Sequence, residues 1–173
     1  MKRSVGLWEF FGFAATSIGG TLLHFLYDKT NGALWAAPFS SVNESTFEHM
    51  KLLFWPMFIY AIVQSLLFKE NEGFWCVKLR GILLGLFLIP FMFYGYNGII
   101  GKSPDRINIA IFFISAAVAY VYEYHLFKKG KSCKAPRAAF FALLIIALIF
   151  IVFTFATPSL ELFRDPLTAT YGI

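Results

Sequence analysis

The chain has 173 residues, 58% of them hydrophobic and 20% aromatic, where soluble domains carry roughly 45–50% apolar residues. A formal charge of +5 would suit a nucleic-acid binder, but the basic residues cluster between long apolar runs and form no stripe across a domain, which excludes that class. So much apolar surface calls for lipid. The sequence therefore predicts an all-α polytopic transmembrane bundle of about five spanning helices, a single domain over 1–173.

The first predicted span covers about 5–27. Its Lys2-Arg3 start resembles a signal peptide, yet the apolar run contains Glu9 and reaches His24 and Asp28 without a small-residue cleavage site, so it is expected to be retained. Gly12, Gly19 and Gly20 along it allow close helix contact in lipid. A structured outer loop, 29–49, is rich in Ser and Asn and broken by Gly32 and Pro38. The second span covers about 50–68. After a short connector, 69–73, the third runs over about 76–96, with Pro90 expected to kink it. The fourth covers about 107–126, and the fifth, about 138–156, is nearly free of polar atoms. The tail, 157–173, contains the turn-favouring pair Asp165-Pro166 and is expected to fold back over the outer face.

Lys and Arg set the orientation, because short loops rich in them stay cytoplasmic. With five spans and a cytoplasmic N-terminus, the inner side holds Lys2, Arg3, Lys69, Lys78, Arg80, Lys128, Lys129, Lys131, Lys134 and Arg137. The outer side keeps Lys29, Lys51, Lys102, Arg106 and Arg164, and the C-terminus is extracytoplasmic. Cys76 and Cys133 both lie near inner basic segments, where no structural disulfide is expected.

This topology gathers polar residues from distant segments on the outer face. His24 and Asp28 are four apart, on one face of a helix that persists through Asp28. Glu44 and Glu48 are also four apart, with His49 next to the second. Imidazole and carboxylate together suit a divalent metal such as zinc, with an open position for water. His24, Asp28, Glu48 and His49 are the candidate ligands and Glu44 the candidate base that takes the water's proton. Asn43, Tyr94, Tyr96 and Asn97, with Asp105, are candidates for orienting a substrate. The spacing matches no metalloprotease motif. Two other roles compete for these residues: Ser41 with Glu44 and Ser45 with Glu48 each fit a capping box, and His24 with Asp28 fits an interfacial ion pair. At the inner end, Glu9, Glu123 and His125 form a separate polar cluster, about 22 Å from His24 at 1.5 Å per helical residue. It reads either as a clasp between helices or as a station for protons or ions.

The segments His24-x3-Asp28, Val42-Asn43-Glu44-Ser45 with Glu48-His49-Met50-Lys51, and Leu162-Phe163-x-Asp165-Pro166 with Tyr171-Gly172-Ile173 resemble an uncharacterised family of short bacterial membrane proteins. The resemblance spans nearly the whole chain and implies a bacterial inner-membrane location, with no activity to carry over. A fainter similarity is to the alkaline ceramidase and progestin-receptor-like membrane hydrolases, which hold zinc with His and Asp from several helices. Those have seven spans and a late HxxxH pair, whereas span five here has no His. The function expected is a metal-assisted hydrolase at the extracytoplasmic face. The alternatives are a small carrier or channel component, or a structural or assembly subunit. Membrane lipids are the expected partners, nucleic acid is not, and an oligomer stays open.

Overall fold

The computed structural model describes residues 2–67, 73–101, 104–130 and 133–173. The 69–73 connector up to residue 72, Lys69, Lys102 and Lys131 lie outside them, as do the side chains of Lys2, Arg3 and Asp105. The chain forms α1 (Lys2–His24), a short α2 (Leu26–Lys29), α3 (Thr46–Leu67), α4 (Phe74–Ile100), α5 (Asp105–Lys129) and α6 (Pro136–Phe155), followed by a 3₁₀ turn, Glu161–Phe163. The helices α3 and α4 continue through Pro56 and Pro90.

Among the described residues, four helices, α3 to α6, are long and apolar enough to cross a bilayer. They make this a multi-pass membrane protein, with large apolar side chains such as Ile62, Phe87, Phe91, Ile145 and Leu148 on the outside of the bundle. Length and composition do not add α1 to that set, because Glu9 and its Gly, Ser and Thr residues dilute its apolar run.

The helix α1 nevertheless packs antiparallel to α3 along its length. Near its start the Tyr60 hydroxyl donates to the Trp8 carbonyl at 2.6 Å, further on Gly19 lies against Pro56, and at its end His24 meets the His49 ring at 5.6 Å between centroids. Glycine makes this approach possible. A Cβ at Gly12 would overlap the Tyr120 and Tyr60 rings, and one at Gly20 would overlap Phe112 and crowd the Leu52 carbonyl. The core between α3, α4, α5 and α6 is built from Leu53, Phe54, Met57, Ile82, Ala119 and Leu143, all nearly or fully buried.

The loop after α2 is pinned by side chains. The Ser40 hydroxyl donates to the Leu23 carbonyl and accepts from the Tyr27 amide, while the Trp55 indole donates to the Pro38 carbonyl at 2.8 Å. The tail folds back over the same end. Phe163 packs on Phe47 and Phe153, and the Asn43 amide donates to the Gly172 carbonyl at 3.0 Å.

At the opposite end, Cys76 and Cys133 form a disulfide with Cα atoms 6.1 Å apart, contrary to the expectation of two free thiols. They are 57 residues apart in sequence. The antiparallel α4 and α5 return the start of one helix to the end of the other, and so bring them together.

Candidate functional site

Where the loop enters α3, two imidazoles and one carboxylate converge. His24 is the last residue of α1, Glu44 lies just before α3, and His49 is in its first turn. One Glu44 oxygen is 3.9 Å from His24 Nε2 and the other 3.5 Å from His49 Nε2. One ligand atom from each of the three lies within 4.8 Å of the others. The His49 Nδ1 contacts the Ser45 carbonyl at 2.9 Å. Since only a protonated nitrogen can bond a carbonyl, this puts a hydrogen on Nδ1 and, in the neutral ring, leaves the Nε2 lone pair on the Glu44 side, the orienting contact common behind metal-binding histidines. His24 stacks on Phe25, and its Nδ1 is buried without a hydrogen-bond partner. The three side chains are between 21% and 41% exposed, so the cluster is open to solvent.

Beside it lies a cavity of about 20 Å³, lined by Glu44, Thr46, His49 and Asn108 and walled by Ile89, Phe93, Ile111 and Phe112. That is room for one water.

Two of the expected ligands are elsewhere. Helix α1 ends at His24, so the geometry that would put Asp28 on its face is broken, and Asp28 is exposed on α2. Helix α3 begins at Thr46, so Glu44 and Glu48 do not share a helical face. Glu48 turns inward instead. Its carboxylate accepts from the Val42 amide at 2.9 Å and pairs with Lys51 at 2.7 Å. The Lys51 ammonium, fully buried, also donates to the Ala37 carbonyl and the Thr154 hydroxyl. Lys51 is therefore an internal counter-ion and not one of the charges that mark the outer side. Of the two capping boxes, the Ser45 half forms, its hydroxyl accepting from the Glu48 amide at 3.4 Å. Ser41 instead donates to the Asn43 carbonyl.

The substrate-orienting candidates are engaged in structure. Asn43 holds the tail and, through Oδ1, the Ser45 amide. The Tyr94 hydroxyl donates to the Glu161 carbonyl at 3.1 Å, and the Asn97 amide to the Phe93 carbonyl. Tyr96 is half-buried on the last turns of α4. Thr46 and Asn108 provide the polar lining that the sequence reading passed over. Their signal would have been a polar residue opening each of two otherwise apolar helices that meet at this end.

The inner cluster also changes membership. Lys78 sits between Glu9, at 3.1 Å, and Glu123, at 2.5 Å, with all three side chains at most 4% exposed. Gln64 donates to Glu9 at 3.0 Å. His125 is exposed and turned away, its ring against Tyr124, because residues two apart on a helix do not face the same way.

The fold and these two polar clusters define a multi-pass helical membrane protein with a histidine–carboxylate cluster at one end. Within that class, the chain belongs to the Family of unknown function (DUF6512), whose model matches residues 2–173. No curated protein and no solved structure matched the chain.

Proposed function

We propose that the chain is a five-span membrane protein that holds a divalent transition metal, such as zinc, through His24, Glu44 and His49 and uses it in hydrolysis at the extracytoplasmic face. One observation carries this reading: two imidazoles from different helices converge on one carboxylate, and a backbone carbonyl orients one of them. Around a tetrahedral metal with bonds near 2.0–2.1 Å, donor atoms stand about 3.4 Å apart. The 3.5 Å and 3.9 Å contacts use different Glu44 oxygens and the three donor atoms lie within 4.8 Å of one another, so gathering them about one metal takes a closure of up to about 1.4 Å.

Two histidines and a glutamate make a ligand set known from catalytic zinc sites, which leave a fourth position for water. A bound metal lowers the pKa of such a water and supplies a nucleophile near neutral pH. This assignment moves Glu44 from base to ligand. The cavity itself has room only for the water, and the apolar residues around it, Phe93 and Phe112 among them, favour a substrate whose apolar portion lies outside it on the bilayer side. The antiparallel course of α1 beside α3 supports counting it as the fifth span. The exposed basic residues Arg80, Lys128, Lys129, Lys134 and Arg137 support a cytoplasmic placement of the opposite end, whereas the Cys76–Cys133 disulfide there speaks for an oxidising side.

Calorimetric titration of chelator-stripped protein with Zn²⁺ tests the proposal. One site per chain is expected, lost in His49→Ala and in Glu44→Gln and kept in Asp28→Ala. A hydrolase also requires that esters or amides of acyl chains be cleaved only by the zinc-loaded form. Absence of a saturable site, or a site indifferent to His49→Ala, removes the reading.

A further inference from the structure

The triad of Glu9, Lys78 and Glu123 is separate from the metal reading and does not depend on it. Glu9 comes from α1, Gln64 from α3, Lys78 from α4 and Glu123 from α5, and none is more than 3% exposed. Each is only a few residues from the end of a helix that carries it, yet apolar and aromatic side chains seal the group. The Lys78 ammonium lies 5.4 Å from the Tyr120 and Phe127 ring centres, 5.8 Å from Phe74 and 6.0 Å from Tyr60. The Tyr120 hydroxyl is occupied by Thr16 at 2.8 Å and the Tyr60 hydroxyl by the Trp8 carbonyl.

Charge counting exposes a shortage. Two carboxylates and one ammonium leave the cluster one positive charge short of neutral. Among the described residues, the other basic groups at this end, Arg80, His125, Lys128, Lys129, Lys134 and Arg137, are exposed and cannot supply it. Hydrogen counting exposes the same shortage. Glu9 is satisfied, because both of its oxygens accept from Lys78 and one also from Gln64. Glu123 accepts from Lys78 through one oxygen only. Its other oxygen, and the carbonyl oxygen of Gln64, are buried acceptors without a partner. An unbalanced charge and unmet acceptors are both costly at this depth.

From the sealed juxtaposition of Glu9, Lys78 and Glu123, with one Glu123 oxygen unpartnered, we infer that this cluster is a binding site for one exchangeable proton, carried as the neutral acid of Glu123. The proton adds the missing charge, and the neighbouring Glu9 carboxylate is the acceptor for the acid's hydrogen. A sodium ion fits less well. Lys78 already occupies the space between the carboxylates, and a second cation would lie against an ammonium, whereas a proton bonded to oxygen does not add that repulsion. Gly81 leaves the room Glu123 needs, since a Cβ there would overlap its carboxyl group.

Infrared spectroscopy of the purified full chain, in H₂O and D₂O, reads this proton directly. The expected result is the C=O stretch of a neutral carboxylic acid at neutral pH, shifted by D₂O and independent of Na⁺. Either Glu123→Gln or Glu9→Gln alone should abolish it, because one remaining carboxylate balances Lys78 without a proton. No such band in the parent overturns the inference. So does a band that survives both substitutions, or one that appears only when Na⁺ is replaced by choline. If neither variant folds, the parent's own spectrum with and without Na⁺ decides.

Discussion

At one end of the bundle Glu9, Lys78 and Glu123 meet in a sealed, aromatic-walled space contributed by four helices. At the other, His24, Glu44 and His49 meet where a loop joins two helix ends, half in solvent and beside a water-sized cavity. In the first, the ammonium is consumed by contacts within the protein. In the second, carbonyl contact orients an imidazole and leaves its second nitrogen facing a carboxylate rather than a donor. A polar group whose capacity is spent internally fixes helix positions, whereas one with capacity left over and access to solvent can take a ligand. Glu48 and Lys51 sharpen the contrast. They lie within one helical turn of the open cluster, yet behave like the sealed one.

Removing one partner from a sealed pair should have the largest effect. Lys78→Ala leaves the Glu9 carboxylate buried beside the Glu123 acid without its ammonium and should cost about 3–5 kcal/mol, read as a large drop in thermal unfolding temperature. Lys51→Ala should cost a similar amount by stranding Glu48, while the fraction that folds keeps its zinc site. Loss of zinc binding in folded Lys51→Ala would break the distinction between the clusters. Next in size is reduction of the Cys76–Cys133 disulfide, which closes a 57-residue separation and should contribute about 2–4 kcal/mol. Denaturant melts with and without reductant measure it, and coincident melts would show that the pair adds no constraint.

In the open cluster, His24→Ala should weaken zinc binding by at least about 100-fold, equivalent to about 2.7 kcal/mol, with little change in the unfolding temperature of the metal-free protein. A stability loss as large as that of Lys78→Ala would instead make His24 a packing residue. The smallest effect belongs to Asn43→Ala, which removes one hydrogen bond to the tail, worth about 0.5–1.5 kcal/mol. Faster amide exchange confined to the last ten or so residues is the expected sign.

The long apolar runs made the helices legible before any coordinates, and a structured loop and a returning tail followed from turn chemistry. The clusters were harder to read because their membership depends on where helices start and stop. Asp28 belongs with His24 only if α1 continues past Phe25, and Glu44 aligns with Glu48 only if α3 begins earlier than Thr46. Lys51 and Lys78 were counted only as charges of the outer and inner sides: for Lys78, local pattern gives no view of carboxylates on α1 and α5, whereas Glu48, three residues before Lys51 on α3, was in view but was read as a metal ligand. For Lys78 a signal existed: Glu9 and Glu123, placed at similar depth by the topology, needed a cation, and Lys78 is the inner basic residue set farthest into α4's buried face. For the cysteines, which were expected not to pair, the signal passed over was the antiparallel return of α5 beside α4.

X-ray absorption at the zinc edge, on protein loaded with one equivalent of Zn²⁺, tests the metal centre most directly. Two imidazoles together with oxygen donors at about 2.0–2.2 Å, reduced to one imidazole in His49→Ala, are predicted. A shell of oxygens alone, or one unchanged by His49→Ala, would contradict it.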